Sequence, residues 1–597
     1  VKELAPVANT IVIAQTMREL HVLRPYLRRY WKPYVAGLAL VIVSNVFNTL
    51  APRFVQQGID ALDQGAPFGA IRTAVLLLLL VAALGGLARY GMRELLNSGS
   101  RKVEYDLRNS LYRYLLGLSS EFYDRYPTGD VMSRTTNDLL AVRMVAGPAL
   151  MYLVDTIVRG LLVVPVMVHM SPQLTLLALI PLAILPVAMS IFGGAIHRRS
   201  EAIQAQFSAL TSQAHENLSG VRIVRAYRQE AAETSAFSEL NQEYGRRNLA
   251  LARAQGMFHP LLAMLGGLGA VAVLFVGGRQ VMAGQLSVGE YVAYGVYLAM
   301  LVWPMIAVGW VVSLVQRGAA SMGRINRIFE EHPAITDPSD PHTLPPARGG
   351  REVRFEHVWF KYPSAADRGW VLEDASFTIP PGTAFALVGP TGSGKSTVAE
   401  LLARTYDPDQ GRVLLDGVDI RSLTLATLRH EVGFVPQETF LFSATLRDNI
   451  LLGKGDDGRL ERAAQTARLD EALPALPDGY DTMLGERGIN LSGGQKQRAA
   501  IARALAQDPP VFLLDDALSA VDAATEAEIL HALRDVLANR TSIVISHRLT
   551  AVRDADEIVV LDQGRVVERG RHADLMAKEG RYWELVRRQE IEEELER

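Results

Sequence analysis

The chain has 597 residues, with 61 Lys and Arg against 64 Asp and Glu for a net charge of -3, 49% hydrophobic and 21% charged residues, and no cysteine. That length exceeds what one hydrophobic core supports, so at least two domains are expected. The absence of cysteine excludes disulfides, thiolate metal sites and thiol nucleophiles, and the near-neutral charge without a basic block argues against nucleic acid as a partner.

The apolar excess lies almost entirely before residue 320, which puts membrane helices in front and a soluble domain behind. Val1 to Arg29 has no small-residue cleavage site behind an apolar core; it reads as a cytoplasmic tail ending in an amphipathic segment, Met17 to Tyr30, not as a cleaved signal peptide. Runs long enough to cross about 30 Å of hydrocarbon follow. They lie near 34–57, 71–92, 143–168, 172–195, 257–279 and 290–315, an even number that places both chain ends on one side.

The segments between the runs are unequal. Residues 58–70, 169–171 and 280–289 are short and lack Lys and Arg, whereas 93–142 and 196–256 are long, charged and helix-like. Arg93, Arg101, Lys102, Arg108 and Arg113 in the first arm, and Arg198, Arg199, Arg222, Arg225 and Arg228 in the second, put both arms in the cytoplasm. Each arm is interrupted near its middle, around Pro127 and Gly129 in the first and Gly220 in the second, where the chain turns back and a soluble domain is expected to dock. Polar residues within the runs are Asn45, Asn48, Arg89, Asp155, Arg159 and His259. Asp155 and Arg159, four apart on one helix face, are placed to satisfy each other.

After the last run, Gln316 to Glu331 reads as a helix leaving the membrane, and the Pro-rich stretch from Pro333 to Gly350 reads as a linker. Beyond it, the apolar strand Ala384 to Val388 leads into Gly389-Pro390-Thr391-Gly392-Ser393-Gly394-Lys395-Ser396-Thr397 and a helical pattern. This is the strand–loop–helix context of a phosphate-binding loop. Its glycines let backbone N–H groups curl around phosphate, Lys395 meets the β- and γ-phosphates, and Ser396 offers a hydroxyl to Mg²⁺. The strand Val511 to Leu514 ends in Asp515, placed to hold Mg²⁺, followed by Asp516. Leu491-Ser492-Gly493-Gly494-Gln495-Lys496-Gln497-Arg498 opens another helix, with Ser492 as cap and glycines exposing N–H groups at its positive end. That second anion site suits two chains placed head to tail, each presenting it to the other's ATP.

With these motifs the chain resembles a half-transporter of the ATP-binding-cassette exporter family over residues 15–590. The resemblance implies an all-α membrane domain of six long transmembrane helices fused to an α/β P-loop NTPase domain with a helical subdomain. Its boundaries are expected at 1–331 for tail, elbow helix and membrane domain, 332–350 for the linker, and 351–597 for the cassette with a C-terminal helical tail. It further implies Tyr362 as the aromatic that stacks on adenine, Gln437 as the glutamine that touches Mg²⁺ and the attacking water, and Glu486 in a segment contacting the partner's arm. It also implies Asp522 in the loop that crosses to the partner's site and His547 as the switch histidine near the γ-phosphate, and the tips near 119–127 and 218–226 resemble coupling helices.

The sequence departs from the family at Asp516, where a catalytic glutamate is usual; aspartate is one methylene shorter. The resemblance therefore points to the weak-site half of a heterodimeric bacterial multidrug exporter. Its partner would be a different chain with glutamate at this position, whose active site the intact Ser492 segment completes. The alternatives are a homodimer with Asp516 as working carboxylate, or a nonhydrolytic ATP-regulated gate. ATP and Mg²⁺ are the expected cofactors, hydrophobic or amphipathic compounds the expected cargo, and the bacterial inner membrane the expected location, with both termini and the ATP-binding domain cytoplasmic.

Overall fold

The computed structural model describes residues 18–347, 349–453, 456–548 and 552–596, so Met17 of the expected amphipathic segment lies outside the described residues. The chain divides into two compact units. One takes in the described residues up to Leu116 with Gly129–Glu331; the other comprises Gly117–Thr128 and the chain from His332 onward.

The described secondary structure of the first unit is all helical, α-helical except for a 3-10 turn at His21–Leu23 and π-helical turns at Arg134–Asp138, Val145–Ala149 and Val273–Gly277. Among the described residues, five helical runs are long and apolar enough to cross a membrane: Trp31–Asp63, Phe68–Leu116, Thr128–Met170, Glu230–Met282 and Val288–Glu330. The run expected at 172–195 falls in the 48-residue helix Pro172–Ser219, whose apolar stretch is Pro172–Leu185. The side chains of Pro186, Met189 and Ser190 there lie outside the described residues, so five crossings stand where six were expected. At about 1.5 Å per residue, the 49 residues of Phe68–Leu116 reach about 70 Å, far more than a bilayer core requires.

Charge pairing knits the polar ends of these helices together. Arg324 donates to Asp138 through Nε at 2.9 Å and Nη2 at 2.5 Å, and Arg143 lies 3.3 Å from Glu104. At the opposite end of Val288–Glu330, Ser287 caps the helix in a reciprocal box with Glu290. The Gly289 N–H there donates to Asp60 Oδ1 at 2.9 Å, and a Cβ on Gly289 would lie 2.4 Å from the Gln56 carbonyl, so only glycine permits this approach.

Within the apolar helices, Asp155 and Arg159 do meet, at 3.1 Å. Asn45 of Trp31–Asp63 completes the cluster, donating to Asp155 at 2.7 Å and accepting from Arg159 at 3.0 Å. Charges removed from water thus find both a counter-ion and an amide, the condition for tolerating them in hydrocarbon. The His259 side chain lies outside the described residues.

The second unit holds two sheets. Strands β1 (Val353–Phe360), β2 (Leu372–Ile379), β3 (Ala384–Val388), β4 (Gln410–Leu415), β5 (Val418–Asp419), β6 (Val432–Val435), β7 (Val511–Asp515), β8 (Thr541–Ile545), β9 (Glu557–Asp562) and β10 (Arg565–Gly570) occur in chain order. β2-β1-β4-β5 form one antiparallel sheet and β10-β9-β3-β8-β7-β6 the other. In the second sheet β6, β7, β8, β3 and β9 run parallel. Their continuous burial matches strands covered on both faces. Phe355, Phe377 and Phe385 stack in series between the sheets, with centroids 4.7 and 5.7 Å apart. A second core gathers Leu446, Ile450, Leu460, Ala499 and Ile501 from the helices inserted between β6 and β7.

Arg351, 2% exposed, clamps the start of β1 to both sheets. Its guanidinium donates to Asp416 after β4 and to Glu431 before β6, each at 2.6 Å. Removing one partner of a buried ion cluster leaves charge uncompensated, so Arg351→Met is expected to cost about 3 kcal/mol of stability. Urea unfolding of the full chain followed by tryptophan fluorescence checks this, and an unchanged midpoint would deny the clamp any stabilising role.

Candidate active site

Parallel strands joined by crossovers present their carboxyl ends on one edge, where loops from distant parts of the chain gather. β3 ends in the loop Gly389–Ser396, β6 leads to Gln437, β7 ends at Asp515 and leads to Asp516, and β8 leads to His547. The β3 loop needs glycine for its shape. Gly389, Gly392 and Gly394 have φ of 155°, 82° and 99°. A Cβ on Gly389 would lie 2.1 Å from the Leu561 carbonyl, and one on Gly394 would lie 2.9 Å from the Val371 carbonyl. Thr391 and Gly392 stay exposed at the mouth while Ser393, Gly394, Lys395 and Thr397 are buried.

The Lys395 ammonium donates to the Gly389 and Pro390 carbonyls at 2.9 and 2.8 Å. Ser396 Oγ donates to Asp515 Oδ1 at 3.1 Å, tying the β3 loop to the end of β7. Burial lowers the pKa of Lys395 against the opposing pull of Asp515 and Asp516. Burial, with the neighbouring charge of Asp516, raises that of Asp515 despite the Ser396 hydrogen bond and Lys395. Two carboxylates against one ammonium leave a negative charge over. Burial and the Lys395 charge lower the pKa of His547 below its ordinary 6.5, against the pull of Asp516. Asp516 is half-buried, and its N–H donates to the Ile545 carbonyl at 2.8 Å. Gln437 is exposed at the end of β6.

Ser492 caps the helix Gly493–Ala506, and Gln495 returns the bond to the Ser492 N–H at 2.8 Å. Gly493 and Gly494 border Ala520 and Val521. Two residues that sequence reasoning missed hold this neighbouring loop. Gln497 donates to Ser519 Oγ at 3.0 Å and accepts from the Ala520 N–H at 2.9 Å. Arg548 donates to the Ser519 and Val521 carbonyls at 2.9 and 3.0 Å and pairs with the buried Glu526. The signals were present, since Gln497 sits inside the Ser492 motif and Arg548 follows His547, but neither motif announces its loop contact. Asp522 caps the next helix by accepting from the Thr525 N–H at 3.0 Å. The hydroxyl of Tyr362 lies 2.9 Å from that of Thr397 and donates to Glu400 at 2.6 Å, so the ring is fixed at the edge of the β3-loop helix.

The arrangement fits a metal-bound nucleoside triphosphate. Ser393 Oγ is buried in the β3 loop with no hydrogen-bond partner, an orphan that a phosphate oxygen satisfies. The surplus negative charge at Asp515 and Asp516 beside Ser396 suits a hard divalent cation.

Residues 34–305 match the ABC transporter transmembrane region family and residues 372–519 the ABC transporter family. The chain is 38% identical to the "Probable multidrug resistance ABC transporter ATP-binding/permease protein YheI" of Bacillus subtilis, over 95% of this chain and 97% of that one. It is 35% identical to the "Multidrug resistance-like ATP-binding protein MdlA" of Escherichia coli, over 97% and 98% respectively. Among solved structures, a bacterial Atm1-family ABC exporter with ATP bound is 29% identical, with a TM-score of 0.74, over 94% of this chain and 98% of that one.

The likenesses to MdlA and to the Atm1-family exporter overturn the expected heterodimer, with its different partner chain carrying glutamate. The side-chain length of Asp516 misled because reach depends on the backbone that carries it. Asp516 adopts a left-handed φ of 45° pinned by Ile545, a conformation aspartate takes more readily than longer residues, and its carboxylate acts electrostatically on both Lys395 and His547. The ATP-binding domain binds ATP with Mg²⁺ and hydrolyses ATP to drive transport. The chain belongs to the ABC transporters, with its membrane region and its ATP-hydrolysing domain on one polypeptide.

Proposed function

We propose that two identical copies of this chain form an exporter that moves hydrophobic or amphipathic compounds outward, or to the outer leaflet, by alternating access. The observation that carries this reading is that one chain holds both halves of a composite ATP site. Lys395, Ser396, Asp515, Asp516 and His547 gather at one sheet edge, and Ser492 caps a separate helix with Gly493, Gly494 and Gln495. A head-to-tail pair sets each capped helix against the other chain's phosphate loop, and ATP binding closes the pair.

On this reading the helix Pro172–Ser219 supplies the sixth crossing, and the chain resides in a bacterial inner membrane with both termini and the ATP-binding domain cytoplasmic. The short connections at 58–70, 169–171 and 280–289, which lack Lys and Arg, face outward. The apolar faces of the spans, with exposed Met257 and Trp303, support apolar cargo. The names of YheI and MdlA, which refer to multidrug resistance, support the same class.

For the chemistry, Ser396, Asp515 and Gln437 would hold Mg²⁺, which when bound would shield phosphate charge. Gly389, Thr391, Gly392, Ser393, Gly394 and Thr397 shape the cradle, and Lys395 orients the terminal phosphates. Tyr362 stacks on the base. Asp516 accepts a proton from the attacking water, Gln437 positions that water, and neutral His547 donates to the terminal phosphate. Asp522 reaches the partner's site.

The chain purified alone in lipid nanodiscs is expected to hydrolyse ATP, and Asp516→Ala to lower kcat by about 10²-fold or more, the usual worth of a general base, while ATP still binds. An inactive lone chain, or an Asp516→Ala variant with wild-type turnover, would overturn this reading. Because burial and Lys395 depress the pKa of His547, its imidazole stays neutral at pH 7 and charges only on acidification past its lowered pKa. The pH dependence of kcat/KM, which reports the ATP-free protein, is therefore expected to show no His547 inflection between about pH 8 and pH 6.5, and any inflection below pH 6.5 is expected to be lost in His547→Gln. A wild-type inflection above pH 6.5 would contradict the assignment.

A further inference from the structure

We infer that Tyr406 is a positioning residue that ties the first cytoplasmic tip to the nucleotide site through Tyr362. The inference rests on the proposed function and adds a named route between ATP and the arm. The tip residues Gly117–Thr128 belong to the same compact unit as the ATP-binding residues and continue covalently into the helices Phe68–Leu116 and Thr128–Met170.

The contacts form an unbroken series. Asp124, on the tip helix Ser120–Arg125, accepts a hydrogen bond from the Tyr406 hydroxyl at 2.5 Å. The Tyr406 ring meets the Tyr362 ring edge-to-face, with centroids 5.4 Å apart and planes at 88°. The Tyr362 hydroxyl is held by Glu400 at 2.6 Å and Thr397 at 2.9 Å, both on the helix that begins at Lys395. Buried Phe360 backs both tyrosines, at 5.0 Å from Tyr362 and 5.6 Å from Tyr406.

The near end of the series is held firmly. Arg404, buried and with a left-handed φ of 50°, turns the chain just before Tyr406 and donates to Asp407 at 3.0 Å and to the Thr336 and Leu423 carbonyls at 3.3 and 3.4 Å. Tyr406 therefore sits on a fixed turn, with its hydroxyl reaching the tip. A base resting against Tyr362 loads a ring already in contact with Tyr406, and the Asp124 bond passes that load to the tip. Edge-to-face rings and a hydrogen bond to a carboxylate are directional contacts, so displacement at one end alters the other.

Hydrogen–deuterium exchange on the full chain in lipid nanodiscs tests this with two probes: magnesium adenylyl imidodiphosphate, and magnesium tripolyphosphate, which has the phosphate chain without the base. In the wild type, the nucleotide analogue is expected to slow exchange at 117–128 and at 389–402, whereas tripolyphosphate slows only 389–402. Tyr406→Phe, which removes one oxygen and keeps the ring, is expected to reduce the slowing at 117–128 about tenfold, the worth of a charge-assisted hydrogen bond, and to leave 389–402 as in wild type. Asp124→Ala should reproduce that loss, and Asp124→Asn, which keeps an acceptor oxygen, should retain most of the slowing. Wild-type slowing at 117–128 in Tyr406→Phe overturns the inference. So does equal loss at both segments, which would mark Tyr406 as merely structural. Neither result bears on whether the lone chain hydrolyses ATP, so failure here and failure of the proposed function remain distinguishable.

Discussion

The contact between Ser396 and Asp515 sets the terms for the rest of the ATP-binding unit. It joins the loop after β3 to the end of β7 at 3.1 Å, and those strands are not neighbours, because β8 lies between them. For a hydroxyl and a carboxylate to meet across an intervening strand, all three must run parallel and stop at the same level. That requirement also carries His547, just beyond β8, into the same edge. The buried ammonium of Lys395 then has carbonyl partners from its own loop and two carboxylates nearby, a balance that leaves the site short of positive charge. A divalent cation offsets that surplus, and a polyphosphate, which adds negative charge, is accommodated only with the cation beside it.

The membrane unit answers a different constraint. In hydrocarbon no water satisfies a backbone or a charge, so its described secondary structure is helical and its polar residues cluster. Asn45, Asp155 and Arg159 close on one another, and the charged groups beyond the bilayer pair across helices, as Asp138 does with Arg324. Such pairing stiffens the long arms over a length at which isolated helices would bend. A stiff arm is what a mechanical link between a nucleotide and a membrane helix requires.

Much of this was legible in the sequence wherever the determining physics is local. The glycines and lysine of residues 389–396 stand next to an apolar strand, and Ser492 stands before its helix, so motif and context lie within a dozen residues. The Asp155–Arg159 pair follows from helical spacing alone. What stayed hidden depends on contacts between distant positions. Asn45 meets a pair 110 residues away, and Tyr406 meets an aspartate 282 residues away. Gln497 and Arg548 converge on residues 519–521 from opposite sides in the chain, and nothing periodic marks them. Hydropathy reports where hydrocarbon ends, whereas the helix continues as long as charged side chains find partners, as from 92 to Leu116.

Asp516 shows where reasoning from side-chain type alone fails. One methylene decides reach only if the backbone is the same for both residues, and here the backbone is unusual. A φ of 45° lies in the left-handed region, where aspartate is enriched over longer side chains. The bond from its N–H to the Ile545 carbonyl fixes the direction in which that carboxylate leaves the chain, and Ile545 is the last residue of β8, two before His547. The carboxylate and the imidazole are therefore placed by one shared strand end, and their separation is set by the sheet more than by side-chain length. A longer residue at 516 gains reach but gives up part of the backbone preference that holds the pair in register, so shortening the acid and fixing the turn act together as one arrangement.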